Sequence, residues 1–170
     1  MNYKVLVNEE HKGNLVARII RQSENDFSIR LVTTLDVFFL NIVSDISLEY
    51  SNGKLKTAKS TKHINGVRTE HTEMSNANGK MLVQGSDIDD ITLSDPVTFS
   101  VGRLYHDEPK GHKSILSERL GREVVINSIG VHAYELRQPD GTRNYFFYKQ
   151  GVCIEMQTRM RGRKVRFILE

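Results

Sequence analysis

The sequence has no tryptophan, three prolines and a single cysteine in 170 residues. One cysteine, Cys153, excludes an intrachain disulfide and any cysteine-rich zinc site. It lies in "GVCIEM", which alternates like a strand, so the thiol is expected to pack as a small apolar group rather than attack as a nucleophile. Long apolar runs are missing as well. The longest, "VFFLNIV" (37–43), is broken by Asn41 and falls short of the ~18 residues that would read as a membrane-crossing helix. No G-x-S-x-G, P-loop, G-x-G-x-x-G or H-E-x-x-H pattern occurs, and no paired carboxylates of glycosidase type. These gaps weigh toward a protein that is not an enzyme, with no catalytic residues, no metal and no cofactor. Nor is there an excess of one charge. Twenty-four basic against 21 acidic residues leave a net +3, too little to argue for nucleic acid as a partner. The opening "MNYKVLVNEEHKG" turns polar at Asn8 and has no signal-peptide core; with Met1 as the native start, the expected location is cytoplasmic.

What is present is period-two patterning over nearly the whole chain. At 38% hydrophobic and 170 residues there is enough apolar material for one core, and no linker or composition shift divides residues 1–170, so a single domain is expected. "YKVLV" alternates, and "DFSIRLVTTLDVFFL" reads as one long strand with Phe27, Ile29 and Leu31 on one face. Then Asn-Gly occurs three times, with Gly53, Gly66 and Gly79 spaced 13 apart. Both residues tolerate the positive φ angles that two-residue hairpin turns require, so the spacing predicts a regular antiparallel meander. Each repeat leaves about eleven residues per strand, or roughly 36 Å, and strands that long and twisted tend to curl.

Two-residue turns throughout predict a register. Tyr50 faces Leu55, Leu48 faces Thr57, Ile46 faces Lys59, His63 faces Arg68, Thr61 faces Glu70, Thr57 faces Met74, and Met74 faces Val83. One face then carries Ile46, Leu48, Tyr50, Leu55, Met74, Met81 and Val83 at one end, and Lys59, Thr61, His63, Arg68, Glu70 and Thr72 at the other. The opposite face, with Lys56, Lys62, His71 and Glu73, is expected in solvent. A bulge anywhere in the meander would slip this register and swap the faces.

After Gly85 a short helix is expected, with Asp95 as N-cap, Pro96 as first residue, and Val97, Val101, Leu104 and Tyr105 at helical spacing. It would cover the mouth of the curled sheet. A second, aromatic-rich meander follows, turning at "PDG", "QG" and "RG". The cluster "YHDEPKGH" offers His106, Asp107, Glu108 and His112, but its Pro and Gly favour a solvated loop over a metal site. Glu118 in "SER" has no evident catalytic partner. "RMRGRKVR" (159–166) puts five cations in eight residues, read either as a solvated hairpin tip or as a contact for phosphates or an anionic membrane surface.

"LYHDEP" with "SERLG", and "YELRQPDGTRNYFFYKQGVC", resemble an uncharacterised bacterial family of β-rich proteins known only as a domain of unknown function, and the resemblance spans essentially the whole chain. The family resembles the unclosed β-barrels of periplasmic lipoprotein carriers. Members usually carry export signals, which implies a periplasmic or cell-envelope location and peripheral envelope association.

The expectation is therefore a mainly β protein: a strongly curved antiparallel meander sheet, a half-barrel or unclosed barrel, with one short helix. As a monomer it would hold a lipid or other hydrophobic small molecule on its concave face. Phe38, Phe39, Ile46, Leu48, Tyr50, Leu55, Met74 and Val83 would line that cavity, and Lys59, His63, Arg68 and Glu70 would form a polar mouth. The alternatives are an enzyme using the same cavity with a His/Glu/Arg cluster (His63 and Glu70 as acid and base), or a structural envelope module.

Overall fold

The computed structural model describes residues 1–86, 88–93 and 96–170. Fourteen strands form one sheet: β1 (Asn2–Val7), β2 (Glu10–Arg21), β3 (Phe27–Val37), β4 (Leu40–Ser51), β5 (Lys54–Ile64), β6 (Val67–Ala77), β7 (Lys80–Gly85), β8 (Ile88–Leu93), β9 (Ser114–Ser117), β10 (Arg122–Gly130), β11 (Ala133–Arg137), β12 (Arg143–Lys149), β13 (Val152–Met160) and β14 (Arg163–Leu169). Every pairing is antiparallel, and the order is β8-β7-β6-β5-β4-β3-β2-β1-β14-β13-β12-β11-β10-β9. Two meanders thus meet where β1 pairs with β14, and β8 and β9 are the two ends of an unclosed sheet. The expected fold class is what the structure has.

The hairpins follow from turn chemistry. Asn52, Asn65, Asn78, Gln150 and Arg161 each take positive φ before a glycine that does the same. Two further turns of this kind contain no glycine, Asn8–Glu9 and Phe38–Phe39 (φ 53° and 63°). The second splits the long strand expected from residue 26 to 40 into β3 and the start of β4.

Three expected pairs are present: Tyr50 with Leu55, His63 with Arg68, and Met74 with Val83. The register slips elsewhere. A bulge between Glu49 and Tyr50 leaves Lys56 as an extra residue, so Leu48 faces Ala58 and Ile46 faces Ser60. Another between Lys62 and His63 puts Lys62 opposite Glu70 and Thr61 opposite His71. Lys59 therefore does not share the inner face; it pairs with Glu73 on the outside, 2.6 Å apart. The physical reason is that one extra residue in a strand inverts the facing of all that follow it.

The concave face is a continuous apolar core, running from Tyr3, Val5, Leu15 and Ala17 through Leu48, Tyr50, Leu55 and Val83 to Phe146, Tyr148 and Cys153. The segment after β8 lies against it. The expected helix is only a 3-10 turn, Val101–Tyr105, preceded by Ser100 in extended conformation. Asp95 lies outside the described residues. Residues 97–100 are drawn out straight because they have sheet partners: Leu55 N–H donates to Val97 O at 2.8 Å, Leu116 N–H to Phe99 O at 3.2 Å, and Ser100 bridges Leu116. Phe99, Leu104, Tyr105, Ile115 and Leu116 all join the buried core.

Candidate functional site

The segment Pro96–Gly121 acts as a plug in the curved sheet, and side chains hold much of it. The Tyr148 hydroxyl donates to Leu104 O at 2.8 Å, and the Tyr50 hydroxyl to Ser100 Oγ at 2.9 Å. The Tyr3 hydroxyl donates to Cys153 O at 2.7 Å and lies 3.4 Å from Tyr105 O. Burial pushes all of these phenols above their ordinary range, so they are hydrogen-bond donors and not acids.

At the centre of the plug sits Glu118, almost fully buried. Its Oε1 accepts from Gly102 N–H at 2.8 Å. Burial raises its pKa above the ordinary carboxylate value, with only partial relief from bonds to Ser100 and Gly102. Gly102 is needed for this contact, because a Cβ there would stand 2.6 Å from Leu48 Cδ1 and 3.0 Å from Glu118 Oε1. The "SERLG" stretch thus contributes a structural acid, which its spacing alone did not suggest.

Where the plug leaves the sheet, a polar cleft of about 550 Å³ opens among Arg21, Phe27, Phe99, Arg103, Asp107 and His112. The Arg103 guanidinium lies 5.1 Å from the Phe27 ring centre, 5.3 Å from Tyr50 and 4.7 Å from Phe99. Its Nε and Nη2 both donate to Asp107 Oδ2 at 3.1 Å, and Nη1 donates to Thr98 O at 2.7 Å. Glu108 is nearly buried and accepts from Tyr134 and from His132 Nδ1, each at 2.9 Å. Burial alone would raise its pKa; the His132 and Tyr134 bonds outweigh that and hold it below the ordinary carboxylate value. So "YHDEP" is a latch between plug and sheet. Among the described residues no cluster of three metal-ligating side chains occurs.

His106 ends the 3-10 turn with a buried Nε2 that has no partner among the described residues. Burial pulls its pKa down to about 4, so it is neutral at physiological pH. Burial likewise pushes the Cys153 thiol up to about 12, which makes it a packed group with no thiolate chemistry.

At the opposite mouth Glu70 bonds Lys62 Nζ at 2.7 Å and Arg119 Nη1 at 3.3 Å. Burial would raise its pKa, but these cations lower it overall. Arg119 also donates to Gln138 at 2.6 Å, and Thr72 Oγ1 donates to Arg119 O at 2.9 Å. The turn after β9 is thereby tied to β6, lacing the unclosed sheet across its gap with side chains.

Of the residues expected at a polar mouth, Glu70 stands in this cluster, His63 and Arg68 pair with each other on the β5–β6 hairpin, and Lys59 faces outward. The acid–base arrangement of His63 with Glu70 is replaced by the Lys62–Glu70–Arg119 group. Among the expected lining residues, Leu48, Tyr50, Leu55, Met74 and Val83 are buried in the core. Ile46 and Phe38 pack partly against it, and Phe39 is fully exposed at a hairpin tip. Sequence reasoning missed Tyr3, Tyr148, Arg103 and Arg119. Their only signal is a polar-tipped or charged residue in an otherwise buried or turn context, which becomes meaningful once its partners are in place.

These features define a β-barrel-like protein whose sheet stays open and is filled by its own chain. Residues 3–170 match the family described as Domain of unknown function (DUF6134), and the chain belongs to that family. It is similar in structure to a β-barrel-like protein of domain of unknown function DUF1849 from Brucella abortus. The TM-score is 0.59 and the identity 13%, over 99% of this chain and 94% of that one. A DUF1089 family protein from Pseudomonas aeruginosa aligns over 82% of this chain and 87% of that one, at 12% identity and a TM-score of 0.44. No curated protein matches the sequence.

Proposed function

We propose that the protein is a non-enzymatic binding module that takes an apolar molecule, a lipid or acyl chain, on the concave face of its sheet, in the volume held by Phe99, Leu104 and Tyr105. The observation that carries this reading is how the 3-10 turn of the plug is held, in contrast to the main-chain bonds at Val97 and Phe99 on its flank. Its 3-10 turn meets the sheet through the hydroxyls of Tyr148, Tyr50 and Tyr3. Side-chain bonds of this kind can be exchanged one by one, whereas a ladder would have to open as a unit. When the plug shifts, the exposed surface is an apolar wall with a few placed hydroxyls and one buried carboxyl, the usual make-up of a site for a lipid with a polar head.

The test is extraction of lipid from the purified chain followed by mass spectrometry, together with titration of a fluorescent fatty acid. Saturable binding is expected, and it should tighten in Tyr148→Phe, which loosens the plug. Absence of co-purified lipid and of saturable binding in both proteins overturns the reading.

A further inference from the structure

The alternation of strand directions gathers the β1–β2, β3–β4, β5–β6 and β13–β14 turns and the β11–β12 loop at one end of the sheet. Two features there cost the fold stability. The first is the Phe38–Phe39 turn. Bulky side chains in the left-handed region cost about 1–2 kcal/mol per residue, and the other turns of this kind contain an Asn or a Gly. Phe38 packs against the core and lies 4.4 Å from the Arg163 guanidinium, whereas Phe39 projects fully into solvent. Val67 is exposed on the neighbouring β5–β6 hairpin.

The second is a like-charge pair. Arg159 and Lys164 stand directly opposite each other on β13 and β14, an arrangement that destabilises a sheet. They border a groove of about 410 Å³ on the outer face, completed by Arg143, Tyr145, Thr142 and Gln157. Arg159 donates to Gly162 O, Arg143 is shared with Glu135, and among the described residues neither Arg159 nor Lys164 stands in an ion pair.

We propose that this end of the barrel docks onto a bilayer rich in anionic phospholipid, with Arg143, Arg159 and Lys164 taking a lipid phosphate and Phe39 entering the acyl boundary. An anion between Arg159 and Lys164 relieves their repulsion and offers the Arg159 guanidinium two oxygens for a bidentate pair. The contact of Phe38 with Arg163 joins the apolar tip to the basic hairpin, so both can meet one flat surface. A free phosphate would satisfy the groove and leave Phe39 unexplained; a bilayer uses both. The proposal does not depend on a ligand in the concave face.

The test is co-sedimentation of the full chain with vesicles of phosphatidylcholine containing phosphatidylglycerol, against phosphatidylcholine alone. Binding is expected only to the anionic vesicles and is expected to weaken with salt. Arg159→Gln with Lys164→Gln is expected to weaken it at least tenfold, at roughly fivefold per cation removed. Phe39→Gly is expected to weaken it about tenfold. Both variants act at exposed sites and relieve repulsion or turn strain, so their melting temperatures should hold or rise, which separates lost docking from lost fold. Equal sedimentation with both vesicle types overturns the proposal, as does indifference to both variants. So does binding of inorganic phosphate or an oligonucleotide without any binding of vesicles, or a dimer in sedimentation velocity that Phe39→Gly abolishes.

Discussion

The hydroxyl of Tyr148 on β12 donates to the main-chain carbonyl of Leu104, 44 positions earlier, at 2.8 Å in the buried interior. This bond fastens the plug to the second meander, and it is made by the tip of a side chain rather than by a strand. Removing it leaves Leu104 O buried without its donor. Tyr148→Phe is therefore expected to destabilise the fold by about 1–3 kcal/mol. Urea denaturation of the two proteins measures it; an unchanged midpoint would show that the carbonyl finds another partner.

Replacing Phe38–Phe39 by Asn-Gly should have the opposite sign at the turn. Relief of two left-handed phenylalanines is worth roughly 2 kcal/mol, against which stands the lost packing of Phe38 on the core. Phe39→Gly alone keeps that packing and is expected to raise the melting temperature. Differential scanning calorimetry decides it, and a lower melting temperature would mean that Phe39 has a contact in the folded protein.

Glu118 makes stability depend on pH in the direction opposite to most carboxylates. Burial raises its folded pKa above the unfolded value. Its contribution is thus complete below the ordinary carboxylate range and is lost as pH rises through the folded pKa. Glu118→Gln keeps an oxygen to accept from Gly102 N–H and has no proton to lose. The stability of the variant relative to wild type should therefore increase with pH. A difference that stays flat from acid to neutral pH contradicts the assignment.

Glu108 runs the other way. Its pKa is held down despite burial by His132 and Tyr134. Its contribution is present above the unfolded pKa and disappears as pH falls through the folded one. Glu108→Gln is expected to cost about 1–3 kcal/mol at neutral pH, as a nearly buried charged acceptor is lost, and little in strong acid. Tryptic cleavage at Lys110 should become faster in the variant, since the latch on the plug is weakened; equal rates would place the latch elsewhere.

Gly13 is set by close approach. A Cβ built there would stand 1.9 Å from the main-chain oxygen of Thr34, which cannot rotate away. Gly13→Ala should separate β2 from β3 locally and destabilise by about 3 kcal/mol or more. A chemical-denaturation midpoint close to wild type would contradict this.

Much of the first meander can be read from the letters. Asn-Gly at 52–53, 65–66 and 78–79 dictates turns because positive φ is affordable there, and the pairs nearest each turn follow. The error grows with distance from the turn. Lys56 and Thr69 are ordinary strand residues with nothing to mark them as bulged, yet each shifts every pair beyond it. That is why Lys59 is outside with Glu73 and Lys62 is inside with Glu70. The Phe38–Phe39 turn was unreadable for the opposite reason: its residues favour strand, and the hairpin overrides them.

By itself the sequence determined the class of fold, the sites of most hairpins and the inert character of Cys153, because alternation and turn propensity act over a few neighbouring residues. Only the tertiary structure decided what the concave face touches. Helical spacing at 97–105 was overridden by hydrogen bonds from Leu55 and Leu116, which draw the chain out and leave a single 3-10 turn. The partners of that turn, Tyr3, Tyr50, Tyr148 and Glu118, lie far from one another in the chain, and no local rule relates them. They meet because a sheet this long curls until its own loop is the nearest surface to fill it.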